Sequence, residues 1–115
     1  MRYFLASAMA MAMAGLISYP ASASMELSDK YECTDCHKLD VKPGAARKKK
    51  EGPSYKEIAK EYKGKKGADK QLVDSIKKGS KDVWAKKLGK KSEMDAEDDI
   101  PVKDAEAIVK WILTQ

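Results

Sequence analysis

Both cysteines of the chain and its only histidine fall within five consecutive residues, Cys33-Thr34-Asp35-Cys36-His37. That clustering narrows what these side chains can do. A structural zinc site takes four ligands and a catalytic one takes three. This chain offers two thiols and one imidazole, and the side chains of the adjacent Cys36 and His37 diverge. A thioredoxin-like C-x-x-C belongs beside a βαβ pattern, and none is visible. A disulfide is open to a chain in an oxidising compartment, but one across so short a loop removes little unfolded-state entropy. The pattern fits haem attachment best. Two cysteines one helical turn apart can each form a thioether with a porphyrin vinyl group. The next residue, His37, then turns under the ring and offers a nitrogen to iron.

The N-terminus says where such a protein would work. Met1-Arg2 is a short positive start, and Tyr3 to Tyr19 is an uncharged apolar run. Pro20 breaks it, and Ala21-Ser22-Ala23 is a small-x-small cleavage pattern. This order is that of a secretory signal peptide spanning 1–23, with Ser24 as the mature N-terminus. As an uncleaved anchor the run would barely span a bilayer. The expected domain is therefore 24–115, and its expected location is the periplasm. Losing Arg2 lowers the net charge from +5 to +4. Tyr31, Tyr55, Tyr62, Trp84 and Trp111 are the only aromatics left after residue 23. A chain this small and this charged has a thin core, and a large apolar cofactor would complete it.

Periodicity predicts four helices and no strand. The first covers about 27–36, with Ser28 or Asp29 as a cap. The second covers about 54–62, where Tyr55, Ile58, Ala59 and Tyr62 share one face behind Pro53 and Ser54. The third covers about 68–78, with Leu72, Val73 and Ile76 inward. Lys77 and Lys78 there suit the negative end of the helix dipole, and Gly79 follows as the stop. The fourth covers about 102–114, with Ala105, Ile108, Val109, Ile112 and Leu113 as its stripe. Two long connections remain, 38–52 and 79–101, and loops of that length are usually functional or disordered.

Taken in order, these pieces resemble the class I cytochromes c, specifically the small bacterial c-551/c-552 group. The match runs through Cys33 to His37, Gly52-Pro53-Ser54-Tyr55, Lys77-Lys78-Gly79-Ser80, Val83-Trp84, Met94, and Val109-Lys110-Trp111-Ile112-Leu113. The resemblance implies an all-α small cytochrome c fold, about four helices wrapped around one covalently attached haem c. It implies iron ligation by His37 and Met94. The Pro53 carbonyl would accept from the other ring nitrogen of His37, and Trp84 would lie against the haem. Two departures stand out. Met94 lies several residues further from Trp84 than in the family, in the acidic stretch Ser92 to Glu97 where the family has prolines. Lys90, Lys91 or water are the other candidates for the sixth position. The 36–53 connection is also longer than in the shortest members, and Arg47-Lys48-Lys49-Lys50 occupies the extra length.

The implied function is one-electron transfer by a monomer between periplasmic or membrane-bound redox proteins. No catalytic acid, base or nucleophile stands out, so neither an enzyme nor a small-molecule substrate is expected. The run Arg47 to Lys50 reads as a solvated loop or as a docking patch that steers acidic partners. Nucleic acid is a poor partner for an exported haem protein, and no aromatic-interleaved basic face is evident. A haem subunit of a larger redox enzyme and a sensor with an open sixth position are the alternatives. Because the core is thin, the chain without haem should be largely unfolded. Circular dichroism and thermal melting of the apo-chain check this, and a cooperative, well-folded apo-protein contradicts it.

Overall fold

The computed structural model describes residues 21–115, with side chains from Ser24 onward. The expected leader, 1–23, lies outside the described residues except for 21–23. Five α-helices follow in chain order: α1 Ala21–Lys30, α2 Tyr55–Tyr62, α3 Ala68–Lys78, α4 Ala85–Leu88 and α5 Val102–Ile112. A 3-10 turn spans Cys33–Asp35. Two short strands, β1 Ser80–Lys81 and β2 Glu93–Met94, pair antiparallel, with Ser80 opposite Met94 and Lys81 opposite Glu93. The fold is the small all-α kind expected.

Helix α5 is the centre of the core. It packs against α1, α2 and α3. Burial reaches Ala105, Ala107, Ile108, Val109, Trp111 and Ile112. This is wider than the expected stripe, because neighbours lie on several sides of the helix. The small residues Ala105 and Ala107 let other elements come close, and the Ser24 hydroxyl of α1 reaches the Ala107 carbonyl at 3.3 Å.

Helix α2 has only eight residues, too few to persist alone in water. Two things hold it. Tyr55, Ile58, Ala59 and Tyr62 are all buried, as their spacing requires. A capping box closes its start: the Glu57 amide donates to the Ser54 hydroxyl at 3.1 Å, and the Ser54 amide donates to the Glu57 carboxylate at 2.7 Å. Such a cap stabilises by about 1 kcal/mol. Helix α3 runs over the expected residues and buries Ala68, Leu72 and Ile76, with Val73 packed at the core's edge.

Three expectations change. The first helix ends at Lys30, not at Cys36. Ser28 does not cap it; the side chain is buried and pairs with the Tyr55 hydroxyl. After Lys30 the chain turns through Glu32 at φ 57° before entering the 3-10 turn. The 79–101 connection is not irregular throughout, since β1, α4 and β2 lie within it. Lys77 does more than face the helix dipole: its ammonium donates to the carbonyls of Asp98 and Ile100, tying the last part of that connection to α3.

Tyr55 joins these layers. It is 1% exposed, and its ring meets Trp111 edge-on with centroids 5.0 Å apart. Burial pushes its hydroxyl up to about 12 from the ordinary 10.0, against the opposing effect of the Ser28 hydrogen bond. Between those values the unfolded chain gives up this proton while the folded chain keeps it. The stability from the buried phenol is therefore complete below about pH 10 and is lost as pH rises through the folded value. Tyr55→Phe should lose about 1–3 kcal/mol near neutrality, because Ser28 is left buried without its partner. It should also lose less stability than the parent above pH 10. Denaturation of both proteins across that range checks both effects.

Candidate haem site

The five-residue motif folds as one tight turn. The Cys33 carbonyl accepts from the amides of both Cys36, at 3.2 Å, and His37, at 2.9 Å. The turn places Cys33 and Cys36 within one helical repeat of each other, and both are half-buried free thiols. Burial raises the Cys33 thiol above its ordinary value, opposed by a contact with Ser28. The Cys33 Sγ lies 3.8 Å from the Tyr31 carbonyl.

His37 leaves that turn and meets Gly52-Pro53. Its Nδ1 is 2.7 Å from the Pro53 carbonyl oxygen. A carbonyl can only accept, so Nδ1 carries the proton and Nε2 keeps its lone pair. Burial holds the imidazole below its ordinary pKa, partly offset by the Pro53 hydrogen bond. The ring is therefore neutral at pH 7, the state in which it can bind a metal. Gly52 eases this approach, since a Cβ there would lie 3.0 Å from His37 Cε1 and 3.3 Å from Nδ1 and crowd the ring. The Gly52 amide donates to the Cys36 carbonyl at 2.8 Å, and the Tyr55 amide donates to the Lys38 carbonyl at 2.8 Å. The Tyr55 ring stacks on His37, with centroids 5.8 Å apart and planes 20° apart.

Met94 is half-buried and packs against the core. Its strand is seated on the end of α3. Gly79 has φ 76°, and a Cβ there would lie 2.6 Å from the Met94 carbonyl oxygen and 3.0 Å from the Ala96 nitrogen. Any other residue would push the Met94 segment away. Two residues beyond Asp95, the Glu97 amide donates to the Ile76 carbonyl at 2.8 Å. Backbone contacts to α3 thus hold the segment in place of the prolines of the family pattern. Nothing in sequence spacing signals these tethers.

Trp84 is half-buried, with its ring 6.3 Å from that of Tyr62 and Lys87 Nζ 5.5 Å above it. Its amide donates to the Ser92 hydroxyl at 3.1 Å, closing the loop between α4 and β2. Lys90, a candidate for the sixth position, is turned to the other long loop. Its ammonium donates to the carbonyls of Lys48 at 2.6 Å and Lys49 at 3.2 Å. Lys91 is exposed. The donor set fits a covalent haem: two unbridged thiols in one turn, a neutral imidazole with one free nitrogen, and a half-buried thioether.

The comparisons with known proteins agree with that chemistry. The cytochrome c family model matches residues 22–115. Cytochrome c2 of Rhodocyclus tenuis is 37% identical over 82 residues, covering 71% of this chain and 80% of its own. Cytochrome c-552 of Hydrogenobacter thermophilus is 33% identical over 93 residues, covering 80% of this chain and 81% of its own. The crystal structure of wild-type Nitrosomonas europaea cytochrome c552 superposes with a TM-score of 0.64 at 32% identity, over 78% of this chain and 96% of that one. The match takes in the haem motif, the Gly52-Pro53 turn and the last helix together, and the chain belongs to the cytochrome c family as a small bacterial class I cytochrome c with covalently attached haem c.

Proposed function

We propose that this protein is a periplasmic carrier of single electrons whose one haem is bound through Cys33 and Cys36 and ligated by His37 and Met94. The observation that carries the reading is the 2.7 Å contact between His37 Nδ1 and the Pro53 carbonyl. It holds the ring in the tautomer that leaves Nε2 free and makes the imidazole a stronger donor. When bound, haem c supplies an iron that changes by one electron. The chain's own part is to keep the environment the same in both states. His37 and Met94 would hold the iron through a nitrogen and a sulfur, a pairing that raises the potential and would leave no place for a substrate. Trp84 and the Met94 segment, the latter pinned to α3, would shield the group from water. Export follows from the leader at 1–23. Its cleavage would leave Ser24 as the first residue of α1, with its hydroxyl still near the Ala107 carbonyl.

The partners are redox proteins with acidic docking surfaces, met by a monomer. Two loops support this reading. Lys48, Lys49 and Lys50 are exposed, and the Lys90 ammonium donates to the carbonyls of Lys48 and Lys49 from 42 and 41 residues away in sequence. Arg47 is not part of that surface, because it turns inward to Glu57. The basic patch is thus built from both insertions rather than from the run 47–50 alone.

The ferric protein should show a sulfur-to-iron charge-transfer band that is lost in Met94→Ala. The reduced parent should resist carbon monoxide, while the variant should bind it readily. A parent without the band that takes up carbon monoxide would move the reading to a sensor with an open sixth position. The association rate with a small acidic electron-transfer protein should fall as ionic strength rises, since the Debye length shrinks from about 10 Å at 0.1 M to about 3 Å at 1 M. Stopped-flow mixing checks this, and exchanging Lys49 and Lys50 for alanine should flatten the dependence. A parent rate indifferent to salt would point to an uncharged contact.

A further inference from the structure

The 38–52 loop has one basic side chain that faces inward. Arg47 is 16% exposed, whereas Lys48, Lys49 and Lys50 face solvent. The Arg47 guanidinium donates to the Gly52 carbonyl at 3.2 Å. It also grips both carboxylate oxygens of Glu57, with Nη1 3.0 Å from Oε2 and Nη2 on Oε1. The same Oε2 accepts the Ser54 amide at 2.7 Å. Burial pushes the Glu57 carboxyl up, but Arg47 and the Ser54 amide outweigh it and keep the group below the ordinary carboxylate range. Arg47 therefore holds residue 52 directly and residue 54 through Glu57. Pro53 lies between them. Proline has no amide proton of its own to anchor it, so its two neighbours decide where its carbonyl points.

We propose that Arg47 is a positioning residue for His37. By holding Gly52 and Glu57 it keeps the Pro53 carbonyl against His37 Nδ1, and so sets how strongly the imidazole donates to the iron. This rests on the reading of His37 as an iron ligand. A tighter Nδ1–H···O=C bond gives the ring more anionic character and favours ferric iron. Loosening it should therefore raise the reduction potential. The charge of Arg47 acts in the opposite sense: removing a cation near the haem favours the ferric state and lowers the potential. The sign of the shift separates the two effects. Lysine keeps the charge but cannot reproduce a planar fork that spans a carboxylate and a carbonyl.

The test uses the haem-loaded protein and three variants: Arg47→Lys, Arg47→Ala and, as a control, Lys49→Ala on the same loop. Two readouts are taken, the reduction potential and the solvent exchange of the His37 Nδ1 proton followed by NMR. Arg47→Lys should raise the ferrous-to-ferric ratio at a fixed ambient potential, by up to about tenfold, or about 59 mV for a one-electron couple. It should also speed exchange of that proton. Arg47→Ala should speed exchange at least as much, and Lys49→Ala should not speed it. A merely structural role would lower the melting temperature without moving either readout. Unchanged exchange in both Arg47 variants, with a potential that is unchanged or lower, overturns the proposal. In the ferric parent, His37 ring resonances shifted by the iron confirm the ligand on which the proposal rests, so that unresponsive variants then sink Arg47 alone. Absence of those shifts removes His37 as the ligand and the proposal with it.

Discussion

The Pro53 carbonyl accepts the one proton that the neutral His37 ring carries, and much of the local architecture exists to keep that pair together. A Cβ at position 52 would crowd the ring at 3.0 Å, so the ring would have to give way by a few tenths of an ångström. The Gly52 amide ties the segment to the Cys36 carbonyl, within the same turn that presents the two thiols. Directly after Pro53 the chain enters a helix whose cap, Ser54, is buried and reciprocated by Glu57. The helix start and the histidine contact are thus one structure. A short helix that would not persist alone is held by Tyr55, which packs between His37 and Trp111.

The segment that carries Met94 is organised differently. Met94 sits in a stretch rich in carboxylates, with none of the proline stiffening of the family pattern. Rigidity comes instead from α3. Gly79 lets the Met94 backbone lie directly on the helix end, the Ile76 carbonyl takes the Glu97 amide, and Lys77 reaches the carbonyls of Asp98 and Ile100. Orphan groups at a helix C-terminus need partners, and here the loop supplies one. The same contacts that satisfy the helix also fix the path of the chain that carries Met94.

The two long connections meet rather than lying apart. Lys90 donates to the Lys48 and Lys49 carbonyls, and Lys87 reaches Glu61 while lying over Trp84. Long-range contacts between loops cost ordering entropy. Here one contact limits the freedom of both segments. It also gathers positive charge from distant parts of the chain onto one surface, where the fields of the lysines add.

The chain's order of residues by itself determined the haem motif, the all-α class, the bounds of α3 and the inward face of α2, because those depend on short-range spacing and on caps adjacent in sequence. It also pointed to Pro53 as the partner of His37, through the resemblance carried by Gly52-Pro53-Ser54-Tyr55. It misjudged the first helix. Ser28 looks like a cap in sequence, but folding gives it a buried partner 27 residues away, the Tyr55 hydroxyl. It likewise read Arg47 as one more surface cation, when an ion pair with Glu57 takes it inward. The breadth of burial on α5, the tethering of Met94 to α3 and the junction of the two basic loops were decided only by the tertiary structure. The burial on α5 depends on which elements pack around it, and the other two depend on backbone amides and carbonyls far apart in the chain; almost any residue carries those groups, so side-chain pattern leaves no record of where they meet.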